Sequence, residues 1–288
     1  MKPKLLRLLR SLAIAWLALV VVVAVFQRSL IYFPSHASEA ELIGEAGQYG
    51  LEAWRDAGGE IIGWRRSRPF GTQAANRLLV FHGNAGYALN RWYYLAGFGD
   101  LEDGKTWDVH LFEYPGYGAR KGRLGEESFN AAALAAFDAL RAEDSRPIHL
   151  LGESLGSGPA CALAAQRPHQ VAGVCLVTPF ARLADVAAHH YPFLPVRLIL
   201  KDRWDNVSAF TNYHFPGRLA VRLAGQDEVV TTAQGRLLFD QFAGEKRVWL
   251  EADAHHNGLD FAVSNPWWRE ASAFLLAPKP SAFLLAPQ

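Results

Sequence analysis

Two cysteines, Cys161 and Cys175, are all that this chain of 288 residues carries, and they form no C-x-x-C pair. That excludes a zinc ribbon, a thioredoxin-like redox pair and a disulfide scaffold. Both stand in apolar stretches, where a reduced, buried thiol is expected. Surplus charge is lacking too, since 29 Lys and Arg against 28 Asp and Glu give a formal net charge of +1. The first 30 residues hold five basic residues and no acidic one, so the remainder is mildly acidic. It lacks the basic surface that nucleic-acid binding requires. No H-E-x-x-H is present, and His189-His190 has no carboxylate at ligand spacing, which leaves no zinc motif. What is present, 50% hydrophobic and 20% charged residues, is the composition of one large globular domain.

The longest apolar run, Leu12 to Phe26, follows Lys2, Lys4, Arg7 and Arg10. With Leu5 to Leu9 it reaches 22 residues, enough to cross a hydrocarbon layer of roughly 30 Å if Arg7 and Arg10 snorkel. Positive charge ahead of the span and only Arg28 close behind it predict a cytoplasmic N-terminus, with the rest of the chain across the membrane. In a bacterium that is an inner-membrane anchor with a periplasmic domain. A cleaved signal peptide is the rival, with Ser35-His36-Ala37 as its small-residue site. Against it, Gln27 to Pro34 is a long and bulky spacer.

Beyond a linker at Pro34 to Gly50, strand-like and helix-like stretches alternate, the mark of an α/β domain with a mostly parallel sheet. Strands are expected at Leu51–Trp54, Ile61–Trp64, Leu78–Phe81, Val109–Phe112, Ile148–Leu151, Val171–Val177, Leu219–Leu223 and Arg247–Leu250. Helices are expected at Leu89–Phe98, Glu127–Arg141, Gly158–Gln166, Thr232–Phe242 and Pro266–Leu276. The aromatic- and proline-rich stretch Ala181 to Pro216, which includes Tyr191, Phe193, Trp204, Phe210, Tyr213 and Phe215, breaks the rhythm. It reads as a small cap over a site; the competing reading is a long connection packed into the core. The expected division is an anchor and juxtamembrane segment over 1–33, a catalytic domain over 34–278 and a tail over 279–288. The tail repeats SAFLLAP (Ser272–Pro278, Ser281–Pro287) without implied function.

The chemistry-bearing signal is Gly152-Glu153-Ser154-Leu155-Gly156, a G-x-S-x-G motif between an apolar strand and a helix. A serine on so sharp a turn needs small neighbours, and Gly152, Gly156, Gly158 and Ala160 supply them. The turn sets Ser154 at a helix N-terminus, where free N–H groups favour a developing oxyanion. His82-Gly83-Asn84-Ala85-Gly86 follows another strand, and the Asn84 and Leu155 N–H groups are the expected oxyanion hole. His82 is read as orienting that turn.

FHGNAG, EYPGYG (Glu113–Gly118), GESLGSG (Gly152–Gly158), GQDEVV (Gly225–Val230) and HHN (His255–Asn257), in this order, resemble the α/β-hydrolase superfamily. The likeness is to membrane-anchored hydrolases of the bud-emergence-protein type, a branch with lysophospholipases and protein depalmitoylases. It runs from about Gln27 to about Trp268. It implies an eight-stranded, mostly parallel sheet flanked by helices, Ser154 as nucleophile, Asp227 as acid and His256 as base, with Glu228 and His255 as their rivals. His255 stands where the family has glycine and Gly258 where it has aspartate. Arg120 replaces a common serine and is expected to alter the pocket mouth. The implied reaction is hydrolysis of an ester or thioester of a partly apolar, lipid-like acyl substrate through an acyl-enzyme, with no metal or organic cofactor required. An amidase or peptidase with the same triad, and a non-catalytic lipid- or partner-binding scaffold, are the alternatives.

Three other patterns are set aside. Gly99 to Thr106 matches a phosphate-loop spacing but precedes a strand and carries three carboxylates. Asn206-Val207-Ser208 is a glycosylation sequon only for a eukaryotic exported protein. Trp267-Trp268 reads as helix packing, with a membrane-interface role as the alternative.

Overall fold

The computed structural model describes residues 3–66, 74–212 and 214–278. The expected tail repeat at Ser281–Pro287 and the aromatic Tyr213 lie outside the described residues.

Helix α1 (Pro3–Ile31) is exposed along its apolar length and is long and apolar enough to cross a membrane. It is followed by α2 (Glu39–Gln48), where a linker was expected. The polar, twice glycine-containing run hides this helix. Its signal is the capping box, in which Ser38 and Glu41 satisfy each other's backbone N–H groups.

The strands are β1 (Leu51–Arg55), β2 (Ile61–Arg66), β3 (Asn76–Phe81), β4 (Trp107–Phe112), β5 (Ile148–Glu153), β6 (Val171–Val177), β7 (Arg218–Ala224) and β8 (Lys246–Glu251). They form one sheet in the order β1-β2-β4-β3-β5-β6-β7-β8. The β1–β2 and β2–β4 pairs are antiparallel and every later pair is parallel. Central strands such as β4 and β7 are buried at every position, as a sheet covered on both faces requires.

Where one helix was expected over Leu89–Phe98, a 3-10 turn (Ala88–Arg91) leads into the short α3 (Tyr93–Gly97) and a second 3-10 turn (Leu101–Gly104). Gly97 and Gly99 are poor helix formers, and Gly97 is needed where the Trp268 ring lies 2.4 Å from the place a Cβ would occupy. The remaining helices are α4 (Glu126–Glu143), α5 (Ser157–Gln166), α6 (Leu183–His190), α7 (Val196–Ile199), α8 (Asn206–Thr211), α9 (Thr232–Gln241) and α10 (Trp267–Leu276). Helix α4 buries Phe129, Ala133, Ala136, Phe137 and Leu140, one helical stripe, against the sheet. Trp267 and Trp268 of α10 are buried on the other face, so they are packing residues.

The stretch 181–216, expected as a cap, carries the short helices α6, α7 and α8. Trp204, Phe210 and Phe215 belong to the hydrophobic core, and none of the described residues of this stretch lines the cleft described below. Trp204 takes φ 38 and packs over Gly158 at the start of α5, which turns the chain inward. Asn206 is buried, with its amide donating to Ser157 Oγ (3.1 Å) and the Phe180 carbonyl (2.9 Å). The sequon is therefore sterically closed.

Candidate active site

The strand order reverses around β3, which lies between β4 and β5. Such a switch point opens a crevice beyond the carboxyl ends of the strands. The turn His82–Gly86 follows β3, Ser154 follows β5, Asp227 follows β7 and His256 follows β8.

Ser154 occupies φ 50 at the end of β5, a left-handed conformation costing about 1–3 kcal/mol outside glycine. Tight packing holds it there. A Cβ on Gly156 would meet the Phe81 carbonyl at 2.1 Å, and one on Gly152 would meet the Gly156 carbonyl at 2.5 Å. Ser157 Oγ donates to the Ser154 carbonyl at 2.7 Å and accepts from Asn206, which braces the turn from behind. The sequence does not reveal the partnership of Ser157 with Asn206, because it joins residues 49 apart.

His256 and Asp227 converge on this serine. His256 Nε2 lies 3.0 Å from Ser154 Oγ, and His256 Nδ1 lies 2.7 Å from Asp227 Oδ2. The other carboxylate oxygen of Asp227 accepts the N–H groups of Val230 (2.8 Å) and Val229 (3.0 Å). Burial pushes the Asp227 carboxyl up, but the His256 hydrogen bond and these two N–H groups outweigh it and hold it below the ordinary range. An ionised Asp227 only accepts, so Nδ1 carries its proton and Nε2 of the neutral ring is free to accept from Ser154. The rivals stand apart: His255 is exposed, with Nδ1 3.1 Å from Glu228 Oε2, and neither touches Ser154.

Ser154, His256, Asn84 and Gly83 line a cleft of about 490 Å³ with Phe33, Tyr93, Val177, Val229, Leu259 and Phe261. Leu155, beside Ser154, is buried. The Asn84 side chain is held at both ends: its Oδ1 accepts from the Phe33 N–H (3.1 Å) and Tyr117 Oη (3.1 Å), and its amide donates to the Ile31 carbonyl. His82 is buried with Nδ1 2.7 Å from the Gly83 carbonyl and Nε2 3.1 Å from Glu113 Oε1. Tyr114 Oη donates to the His82 carbonyl at 2.8 Å. These bonds explain why FHGNAG and EYPGYG occur together, since the second motif holds the turn made by the first. Arg120 does not reach the cleft; it pairs with Glu60 and donates to the Glu113 carbonyl.

A cluster the sequence did not reveal lies beside the serine. The Glu153 carboxylate accepts from Arg91 Nε (3.0 Å), Tyr93 Oη (2.6 Å) and Tyr94 Oη (2.9 Å). Burial pushes this carboxyl up, and Arg91 with the two hydroxyls more than reverses that, leaving it below its ordinary value.

The profile of the α/β hydrolase fold family matches residues 76–212. An uncharacterized protein of Mycobacterium tuberculosis is 34% identical over 236 residues, 80% of each chain. The chain belongs to the α/β-hydrolase superfamily. Over 87 residues, 30% of this hydrolase and 31% of the relative, it is 39% identical to a pimeloyl-[acyl-carrier protein] methyl ester esterase of Neisseria meningitidis. The fold is shared with the Pyrococcus furiosus esterase Pf2001 (TM-score 0.60, 12% identity, 84% of this chain and 98% of that one). Est1E from Butyrivibrio proteoclasticus, solved with ferulic acid, is also similar (TM-score 0.56, 14% identity, 78% and 92%).

Proposed function

We propose that this α/β-hydrolase is a membrane-anchored serine hydrolase that cleaves a carboxylic ester or thioester of a partly apolar acyl substrate. The observation that carries the reading is the Asp227–His256–Ser154 chain, with separations of 2.7 and 3.0 Å, opening onto a cleft walled by Phe33, Val177, Val229, Leu259 and Phe261. His256 Nε2 takes the Ser154 proton as Oγ attacks the acyl carbonyl, and the N–H groups of Asn84 and Leu155 receive the negative charge on the carbonyl oxygen. Loss of one such donor costs about 2.7–4 kcal/mol of transition-state stabilisation. The tetrahedral adduct collapses, the imidazolium returns the proton to the departing alkoxide or thiolate, and an acyl-serine remains. Water, deprotonated by the same nitrogen, attacks that acyl group and releases the acid. Asp227 stays ionised and fixes the tautomer throughout.

The same reading makes α1 the anchor, with its basic end cytoplasmic and the hydrolase domain across the membrane. It places the chain in the bud-emergence-protein branch that its motifs resemble. The test is labelling of the detergent-solubilised full chain with a fluorophosphonate probe. Labelling is expected in wild type and lost in Ser154→Ala and His256→Ala. A folded wild-type protein that takes no label refutes the reading.

A further inference from the structure

Helix α1 does not leave the hydrolase domain at its last residue. Gln27 Nε2 donates to the Ile199 carbonyl (3.0 Å) and Gln27 Oε1 accepts from the Lys201 N–H (2.6 Å). Arg28 pairs with Asp202 (3.0 Å), and twelve residues earlier Trp16 Nε1 donates to the Phe193 carbonyl (3.0 Å). Residues 193–202 therefore run parallel to α1 over about 18 Å of its length, taking 1.5 Å per residue. Trp16 stands inside the uncharged stretch between Arg10 and Arg28. The partner of its indole is at the same depth as Trp16 in any membrane that α1 crosses.

That neighbour is built for lipid. Tyr191, Phe193 and Leu198 are 52%, 60% and 82% exposed, while Trp204, Phe210 and Phe215 of the same excursion are buried. The N–H groups of Tyr191, Leu194, Val196, Leu198, Ile199 and Leu200 all bond to carbonyls within residues 187–196. Pro192 and Pro195 have none to satisfy, which lowers the backbone cost of leaving water. From Val186 to Lys201 the sequence holds no carboxylate, and its basic residues include Arg197 and Lys201, whose long stems let their charge reach headgroups.

We propose that Tyr191–Leu198 is a second membrane contact, inserted into the bilayer beside α1, with Phe193 and Leu198 among the acyl chains and Lys201 at anionic headgroups. This rests on the reading of α1 as a membrane span. The contact is joined to the site, because His190 Nε2 donates to the carbonyl of Val229, which lines the cleft (2.7 Å). Phe33, two residues beyond α1, lines the same cleft. The hydrolase thus stands on the membrane at two points that flank the cleft.

The test uses the full chain. Both native thiols are buried, and burial pushes the Cys175 thiol up to about 12 and the Cys161 thiol well above its ordinary value, so an introduced cysteine labels selectively. Phe193→Cys, Leu198→Cys and Ala142→Cys each receive an NBD fluorophore and are reconstituted in phosphatidylcholine/phosphatidylglycerol vesicles. Ala142 is exposed near the end of α4, opposite the cleft. Fluorophores at 193 and 198 are expected to be quenched by spin-labelled lipid and shielded from aqueous iodide, with the reverse at 142. Iodide quenching at 193 and 198 overturns the proposal, and so does shielding from both quenchers, which a second protein surface would produce.

A Phe193→Ser/Leu198→Ser variant separates this proposal from the hydrolase reading. It is expected to keep wild-type turnover of soluble p-nitrophenyl acetate and to lose about tenfold on an acyl ester held in vesicles. Equal turnover of the vesicle ester overturns the proposal. Absence of all turnover in wild type refutes the hydrolase reading, while the fluorophores still decide membrane insertion.

Discussion

Asp227→Asn exchanges one oxygen for an amide nitrogen, and the structure dictates which way the new group must lie. Two N–H groups, from Val229 and Val230, point at Oδ1 from 3.0 and 2.8 Å, so that position must remain an acceptor. The amide nitrogen is then forced to the Oδ2 position, 2.7 Å from His256 Nδ1. Facing a donor, Nδ1 must give up its proton, and the neutral ring carries it on Nε2 instead. Nε2–H, 3.0 Å from Ser154 Oγ, cannot accept the serine proton. The geometry is intact and the tautomer is wrong, a defect worth about 10⁴-fold in kcat, or about 5 kcal/mol of transition-state stabilisation. Turnover of a p-nitrophenyl ester by the solubilised chain reads the loss, with thermal melting to show that the fold persists. Glu228→Gln is the control, because Glu228 is exposed and touches His255 and the His256 N–H but not the imidazole, and it should cost less than about tenfold. A folded Asp227→Asn protein within about tenfold of wild type would refute the tautomer argument.

Glu153 releases its proton more readily when folded than when unfolded, so the folded state binds fewer protons and stability falls as pH falls. Its contribution is present above the ordinary carboxylate value of 4.5 and is lost below it. Thermal melts between neutral pH and acid should show a steeper decline for wild type than for Glu153→Gln, and equal slopes would remove Glu153 from the account. Gly156→Ala forces a methyl group to within 2.1 Å of the Phe81 carbonyl. It should destabilise by at least about 1–3 kcal/mol and slow fluorophosphonate labelling; an unshifted melt with normal labelling contradicts the close packing behind the serine. A chain starting at Pro34 loses the buried Tyr32 and strips Asp202 of Arg28 and the Tyr32 hydroxyl. Its melting point should fall by an amount equivalent to about 2–5 kcal/mol relative to a chain starting at Gln27, and equal melts would show that this junction carries no stability.

All eight strands were legible because each is a short apolar run bounded by turn residues and, in the centre of the sheet, covered on both faces. The sequence positions of Ser154, Asp227 and His256 were legible because each follows a strand whose end the sheet brings to one edge. What stayed hidden depends on partners distant in the chain. Arg91 and Glu153 are 62 residues apart, and Tyr32 and Asp202 are 170 apart, so neither pair leaves a local pattern. The packing of Trp204 was hidden as well, because its left-handed backbone (φ 38) and the bare Gly158 under its ring are 46 residues apart in the chain.

The division after residue 33 is where the physical picture changes most. Hydrophobicity marks where an apolar run ends, and it drew the boundary between anchor and enzyme there. Hydrogen bonding draws it elsewhere: Tyr32 is core, its hydroxyl bonds Asp202 and accepts from Trp204, and the Ile31 carbonyl and Phe33 N–H are both held by Asn84. Asn84 lines the cleft with Ser154. The last turn of α1 is therefore continuous with the turn assigned to the oxyanion. A change in how α1 is seated reaches that turn through two hydrogen bonds, so the end of α1 helps to set the geometry of the cleft.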